Sequence, residues 1–187
     1  MEMSDPVLVV RTLAGDDRAF EELVRRHHSK LRGFLRRLTG DAFIADDLAQ
    51  ESFAEAYDNL EKFGGRSSFS TWLLGIGYNQ FRHHRRKRRE ARMPDNLPEP
   101  ADENADPGLR GTEADVRAAV AGLGEDARAA VELCYGHGLS HEEAAEVLHW
   151  PLGTLKSRLA QAKEKLKISL AAYADNNGKG ENGHGKR

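Results

Sequence analysis

The sequence predicts an all-α protein of two small helical domains joined by a flexible acidic linker, with a helix-turn-helix in the second domain. Apolar residues recur at spacings of three and four along almost the whole chain, as on one face of an α-helix. A proline-rich acidic stretch interrupts this pattern. The predicted division is a domain at residues 1–92, a linker at 93–112, a domain at 113–173 and a disordered tail at 174–187.

Composition limits the classes of protein that the chain can form. Its 187 residues are enough for one medium domain or two small helical ones, and a hydrophobic fraction of 39% permits a packed core. The formal net charge of −2 hides a local contrast, because residues 82–92 sum to +6 and residues 93–112 to −4. The basic stretch predicts an anion-binding stripe. A single cysteine, Cys134, excludes an intramolecular disulfide and a thiolate cluster. We expect a cytoplasmic protein without membrane insertion, since no apolar run reaches the ~18 residues of a spanning helix and no signal-peptide pattern is present.

The first three helices carry clear start and stop signals. A short helix is expected at residues 5–13, and Asp16 is expected to cap a long helix that runs to about Leu38 and stops at Gly40. Asp41 is expected to cap the third helix. The apolar residues on or near one face of that helix are Ile44, Leu48, Phe53, Ala56, Tyr57 and Leu60.

A loop and a fourth helix follow. Residues 63–68 form a loop by composition, and the next helix is expected to begin near Ser68 or Ser70 and to continue into the basic stretch. Gly75 and Gly77 lie inside this helix, where each costs roughly 1 kcal/mol relative to alanine. The two glycines therefore indicate either close packing or a weakened helix.

The second domain ends in two helices joined by a short turn. Helices at residues 113–121 and 125–135 come first. Ser140 and Glu143 then form a capping box, and Pro151 suits the first turn of the last helix. The apolar residues of the last helix are Leu152, Leu155, Leu159, Ala162, Leu166 and Leu170.

This arrangement is typical of a DNA-binding helix-turn-helix, in which the second helix enters the major groove. Opposite its leucines that helix bears Lys156, Ser157, Arg158 and Gln161. Thr154, Ser157 and the amides near Gly153 can hold a phosphate at the positive end of the helix dipole. An ordinary amphipathic helix with a solvated basic face is the alternative, against which the capping box and the proline-containing turn argue. The pattern fits a response-regulator output domain equally well.

Several segments resemble extracytoplasmic-function sigma factors of the sigma-70 family, in the order in which that family has them. Residues 46–57, DDLAQESFAEAY, are similar to the family's polymerase-binding helix. The other similar segments are AGD at 14–16, AFEEL at 19–23, residues 63–74 with FSTWL at 69–73, LSHEEAA at 139–145 and PLGTLKSR at 151–158. The likeness covers about residues 7–92 and 113–172.

The resemblance implies that the third helix docks on RNA polymerase core. The residues it assigns to the clamp helices of the largest subunit are Asp46, Asp47, Gln50 and Glu51. Asp47, Gln50 and Glu51 share one helix face, which suits arginine or lysine partners. A solvated acidic face is the alternative reading of these residues alone.

The loop at 62–68 and the helix after it resemble the segment that melts the minus-ten element. A site that receives an unstacked base needs apolar walls, polar edges and phosphate contacts, and these residues offer them. Asn79 would line the flipped-base pocket, while Phe63, Phe69 and Trp72 each fit the core better than base stacking. The implied minus-ten set is Lys62, Phe63, Arg66, Ser67, Ser68, Trp72, Asn79, Arg82, Arg85 and Arg86.

The helix-turn-helix resembles the module that reads the minus-thirty-five element. The implied contact residues are His141, Thr154, Lys156, Ser157, Arg158 and Gln161. Ala160 and Gln161 depart from the bulky or basic residues of some members, so the bases read stay open. The implied partners are RNA polymerase core (the clamp helices and the flap), promoter DNA and an anti-sigma protein, with no cofactor, no metal and a role in stress response.

Three other functions compete with this interpretation. Catalysis is disfavoured because the adjacent histidine pairs at 27–28 and 83–84 are poor metal sites and no phosphate loop or nucleophile–base pair is evident. A plain helix-turn-helix regulator would need neither the loop nor the basic helix of the first domain. A sigma-like mimic that captures an anti-sigma protein is excluded least well by the sequence. The preferred hypothesis is a sigma factor that supplies promoter choice and strand opening and is not an enzyme.

Overall fold

The computed structural model describes residues 3–91 and 112–178, and every secondary-structure element in these two ranges is helical. The helices are α1 (Asp5–Leu13), α2 (Asp17–Thr39), α3 (Ala42–Asp58), α4 (Phe69–Ala91), α5 (Thr112–Ala121), α6 (Glu125–Val131), α7 (His141–Leu148) and α8 (Leu152–Gly178), with a 3₁₀ turn at Leu60–Lys62 and a π-helical turn at Glu132–Gly136. The all-α prediction is confirmed.

The predicted domain limits fall largely on the gap between the described ranges. The predicted linker lies outside the described residues except for Thr112, and so does the end of the predicted tail. Helix α8 runs to Gly178, beyond residue 174, the predicted start of that tail. Within the two described ranges, no helix is long and apolar enough to cross a membrane.

Helices α1 to α4 pack into one bundle. The fully buried side chains include Leu23, Leu31 and Phe34 of α2 and Leu73 and Leu74 of α4. Spacings of three and four on α2 place these residues along one stripe, which α3 and α4 cover. The bundle thereby fixes the position of the loop that connects α3 and α4.

The predictions for the start and end of α2 and for the start of α3 are confirmed in part. Gly40 ends α2 with a φ of 70°, and the Asp41 carboxylate accepts the N–H groups of Phe43 and Ile44, as an N-cap should. Asp16 precedes α2 but makes no capping hydrogen bond. Its carboxylate instead accepts a hydrogen bond from Arg11 at 2.8 Å, so the prediction of an Asp16 side-chain cap is wrong.

Tyr57, predicted to lie on or near the apolar face of α3, lies at the margin of that face. It is 45% exposed, whereas Leu48 and Phe53 are buried. The Tyr57 hydroxyl donates a hydrogen bond to Asp17 at 2.7 Å, and its ring meets Phe20 edge-on. The phenol therefore lies at the edge of the bundle, where its apolar ring packs against Phe20 and its hydroxyl end stays accessible to solvent.

The two glycines of α4 have different surroundings. A Cβ atom at Gly77 would lie 2.6 Å from Leu31 Cδ1, while a Cβ atom at Gly75 would meet nothing within 4 Å. Leu31 is only 1% exposed and has little room to yield. Gly77 therefore allows a close approach of α4 to α2, whereas Gly75 has no such packing reason.

The second domain is built around the predicted helix-turn-helix. Both hydrogen bonds of the Ser140–Glu143 capping box are present at the start of α7. His149 ends α7 in the left-handed conformation, and the Trp150 N–H donates to the Ala145 carbonyl at 2.9 Å. Two α8 amides, those of Thr154 and Leu155, donate to the Pro151 carbonyl, so α8 begins directly after the turn.

The two domains are in contact. Helix α4 packs against α7, and the buried apolar side chains of both domains form one continuous cluster. The helix predicted at residues 125–135 is α-helical only to Val131, after which the backbone makes the π-helical turn. This turn lies where the second domain approaches α2.

Substitution of the two glycines should have opposite effects on stability. Gly77→Ala is expected to lower the free energy of unfolding by about 1–3 kcal/mol, because the added methyl overpacks the core against Leu31. Gly75→Ala, the matched control, should raise it by up to about 1 kcal/mol through helix propensity. Urea denaturation followed by circular dichroism measures both. Equal effects of the two changes would contradict the close approach at Gly77.

Candidate nucleic-acid interface

The predicted polymerase-docking residues divide into two groups. Asp47, Gln50 and Glu51 are exposed on one face of α3. Leu48 and Ala49, between them, are buried against the bundle. The structure thus brings three of the four predicted residues together as one polar, net acidic surface.

Asp46, the fourth residue, faces α2 instead. Its carboxylate forms a two-pronged ion pair with Arg32, and the Nη2–Oδ2 distance is 3.1 Å. The hydrogen bond from Arg32 lowers the pKa of Asp46, and the carboxylate in turn raises the pKa of Arg32. Asp46 therefore joins α2 to α3 beside the acidic surface.

Three aromatic rings meet behind the loop before α4. The ring centroid of Phe63 lies 5.8 Å from that of Phe69 and 5.1 Å from that of Trp72. Phe69 is buried at 2% exposure, whereas Phe63 and Trp72 are only partly buried. Phe69 is thus a core residue, and the other two rings line the edge of the core next to the loop.

The polar residues of this loop have different local roles. Ser68 Oγ accepts the N–H of Thr71 at 3.0 Å and therefore caps the start of α4. Lys62 reaches back to the Asn59 side chain at 2.5 Å. Arg66 is exposed and Ser67 is half-buried. The loop presents cations around the edge of the aromatic cluster.

Four of the predicted minus-ten residues lie along helix α4, from its middle towards its end. Asn79 Nδ2 donates to His149 Nε2 at 3.4 Å, across the boundary between the domains. The Arg82 guanidinium lies 6.0 Å from the centre of the Tyr78 ring, and Arg85 pairs with Glu125 of α6. Arg86 lies 3.8 Å from Glu90 one turn further on. Two of these four side chains, Asn79 and Arg85, therefore contact the second domain.

The predicted minus-thirty-five residues cluster on the helix-turn-helix. His141 is exposed at the start of α7, and the exposed residues of α8 include Lys156, Ser157 and Gln161. Ser157 Oγ donates to the Thr154 carbonyl at 2.9 Å. Apart from half-buried Thr154 and partly covered Arg158, the set is open to an approaching ligand.

Arg158 has partners that the sequence did not reveal. Its Nη1 atom lies 2.8 Å from the Asp126 carboxylate, and its guanidinium carbon lies 4.9 Å from the centre of the Trp150 ring. Both partners belong to the second domain. Burial raises the pKa of Tyr78 on α4, the nearby charge of Asp126 raises it further, and the charge of Arg158 opposes the shift. The sequence places Trp150 directly before Pro151 but does not show that its ring reaches Arg158.

The contact between the domains includes a second polar cluster that sequence reasoning missed. Arg37 of α2 pairs with Glu132 and donates a hydrogen bond to His137 Nε2 at 3.1 Å. Burial raises the pKa of Glu132, against the opposing effect of Arg37. Burial and the positive charges of Arg37 and Lys30 lower the pKa of His137 to about 4. His137 is consequently neutral near pH 7, and its Nε2 atom can accept a hydrogen bond from Arg37.

Among the described residues, no group of three or more histidine, cysteine or acidic side chains could hold a metal ion. The candidate surfaces are instead acidic on α3, basic and aromatic at the loop and α4, and basic on α8. Such charged, open faces serve contacts with macromolecules.

Comparisons with known families match both domains. The model of sigma-70 region 2 matches residues 23–91, and that of sigma-70 region 4 matches residues 113–166. The RNA polymerase sigma-H factor of Pseudomonas aeruginosa is 36% identical over 181 residues, which cover 89% of this chain and 93% of the relative. The ECF RNA polymerase sigma-E factor of Haemophilus influenzae is 34% identical, with 90% and 96% covered.

Solved structures of sigma factors are also similar. The sigma factor RpoE, crystallised with the anti-sigma factor NepR from Bartonella quintana, has a TM-score of 0.70 at 27% identity, covering 81% of this chain and 96% of RpoE. CnrH, in complex with the cytosolic domain of CnrY, has a TM-score of 0.67 at 29% identity, covering 90% and 97%.

Loss of Arg37 should loosen the contact between the domains. Arg37→Ala is expected to increase the radius of gyration in small-angle X-ray scattering, because Glu132 would keep a buried carboxylate without its main partner. Arg36→Ala removes the same charge from an exposed neighbour and should leave the scattering curve unchanged. An unchanged curve for both variants would show that the Arg37 cluster does not hold the domains together.

Proposed function

Because the chain belongs to the sigma-70 family, as an alternative sigma factor of the extracytoplasmic-function type that directs transcription initiation, we propose a role for each of its three charged surfaces. The acidic surface of α3 docks on the clamp helices of RNA polymerase. The loop before α4, with the basic half of α4, opens and holds the minus-ten element. Helix α8 reads the minus-thirty-five element, and the second domain also contacts the polymerase flap.

The observation that carries this proposal is the order of charges along one folded chain. An acidic helix face, an aromatic loop with cations and a basic second helix of a helix-turn-helix belong to three separate surfaces. A plain DNA-binding regulator needs only the last of these. The relatives are transcription initiation factors, and we propose that this chain likewise has no catalytic activity and leaves nucleotide transfer to the polymerase.

The proposed minus-ten site combines the features that an unstacked base requires. Phe63 and Trp72 give partly exposed rings, and Arg66 and Lys62 supply charge at the edge of the loop. Asn79 offers an amide that can exchange its contact with His149 for a base edge. Arg82 and Arg86 continue the positive potential along the promoter backbone.

We further propose a cytoplasmic site of action and an anti-sigma partner. The similar structures RpoE and CnrH were solved with NepR, an anti-sigma factor, and with the cytosolic domain of CnrY. A partner that covers the same charged surfaces would keep polymerase and DNA away. The alternative function, a mimic that captures an anti-sigma protein without starting transcription, would not need cations on both domains.

Run-off transcription tests the function directly. Core polymerase, the purified chain and a set of genomic promoter fragments should give a defined transcript that depends on the chain. Core binding without any transcript from the whole set would favour the mimic, and absence of core binding would favour a plain helix-turn-helix regulator.

Charge reversal on α3 should weaken binding to the polymerase. Asp47→Arg is expected to lower the affinity for core enzyme about tenfold or more, because it places like charges opposite each other at the interface. The matched control is Glu21→Arg, which reverses an exposed acid near the start of α2. Its neighbour Phe20 contacts Tyr57, near the end of α3. Fluorescence anisotropy of labelled chain with core enzyme measures both affinities. Equal losses would contradict a docking site at Asp47.

Removal of Arg158 should weaken promoter binding and leave polymerase binding unchanged. Arg158→Ala is expected to lower the affinity of the reconstituted holoenzyme for a minus-thirty-five duplex about tenfold, since a direct arginine contact contributes about 1–3 kcal/mol. Lys167→Ala removes a charge about 14 Å further along α8 and serves as the control. A parallel loss of core binding would refute this division between the two domains.

A further inference from the structure

Trp150 holds the side chain of Arg158 from one side. The Arg158 guanidinium carbon lies 4.9 Å from the centre of the indole ring, within the range of a cation–π interaction. Asp126 pairs with the same guanidinium through Nη1 at 2.8 Å. A long side chain that is otherwise mobile is thus restrained by a ring face and by a carboxylate.

The position of the Trp150 ring is itself determined by the turn. The Trp150 N–H donates to the Ala145 carbonyl, and Pro151, the next residue, fixes its own φ angle. The indole is partly buried against the continuous apolar core. The ring therefore has a fixed place at the point where α7 ends and α8 begins.

This arrangement leaves Arg158 able to bind another group. An arginine side chain has five N–H donors in one plane, and a ring against its face does not use them. Asp126 occupies donors at one edge, and the Arg158 side chain remains 42% exposed. The free edge of the guanidinium points its donors in a direction set by the ring and the carboxylate.

We propose that Trp150 is a positioning residue for promoter recognition, which holds Arg158 in the orientation that contacts the minus-thirty-five element. The inference rests on the proposed function of α8 and adds to it a residue outside the predicted contact set. An arginine ordered before binding loses less side-chain entropy when DNA arrives. Trp150 thereby raises affinity and specificity without a contact of its own to DNA.

The test is a double-mutant cycle on reconstituted holoenzyme. The probes are a labelled duplex with the minus-thirty-five element of the promoter found by run-off transcription and a duplex with that element scrambled. Trp150→Leu, which removes the aromatic face, should weaken specific binding about three- to fivefold and affect the scrambled duplex less. Trp150→Phe keeps an aromatic face and should restore most of the affinity. Asp126 is not substituted in this cycle, because removal of its negative charge would also reduce its repulsion from DNA phosphates and so change the affinity by a second route.

The Arg158→Ala background separates positioning from a general effect on the fold. Trp150→Leu should cause no further loss in that background, because its effect passes through Arg158. The same loss in both backgrounds, or no loss in either, would overturn the inference while leaving the Arg158 contact intact. If Arg158→Ala itself has no effect, the proposed role of Arg158 fails and the inference fails with it. A gain in affinity with a larger radius of gyration would assign Trp150 to domain docking instead and also overturn the inference.

Discussion

At Gly77, helix α4 lies too close to Leu31 of α2 for even a methyl group. Because Gly77 must face Leu31, this approach fixes the position of α4 along the bundle and its rotation about its own axis. The basic residues beyond Phe81 belong to the same helix, and the preceding loop leads directly into its first residue, so both take their positions from α4. One contact between two helices therefore sets where Asn79 and Arg82 lie relative to the rest of the bundle.

Most of the fold could be predicted from the sequence because its signals are local. The Asp41 cap, the Gly40 stop and the capping box at Ser140 each depend on residues within a few positions, and the structure contains all of them. The cap predicted at Asp16 failed because Arg11, on the neighbouring helix, competes for the same carboxylate. Helix α8 continues beyond the predicted start of the tail, since each added residue of an existing helix gains a hydrogen bond without a new nucleation cost.

The candidate site was predictable to the extent that it follows helix periodicity. The exposure of Asp47 together with Glu51 follows from their spacing on α3, whereas their assignment to polymerase came from family resemblance. Contacts between distant residues left no such signal. The pairing of Asn79 with His149 and of Arg37 with Glu132 depends on how the two domains meet. Even the contact of Trp150 with Arg158 requires the exact path of the turn before α8.

The polar contacts between the domains differ in how easily a ligand can replace them. Arg85 and Glu125 are both partly exposed, and pairs of that kind contribute about 0–1 kcal/mol. A row of DNA phosphates can replace Glu125 at little net cost, because it offers more negative charge and releases counterions. Glu132 is different, since its side chain is 10% exposed and its pKa is raised by burial. Because a buried carboxylate that loses its partner costs more than an exposed one, we expect the Arg37–Glu132 pair to contribute more to the contact between the domains than the exposed ion pairs do.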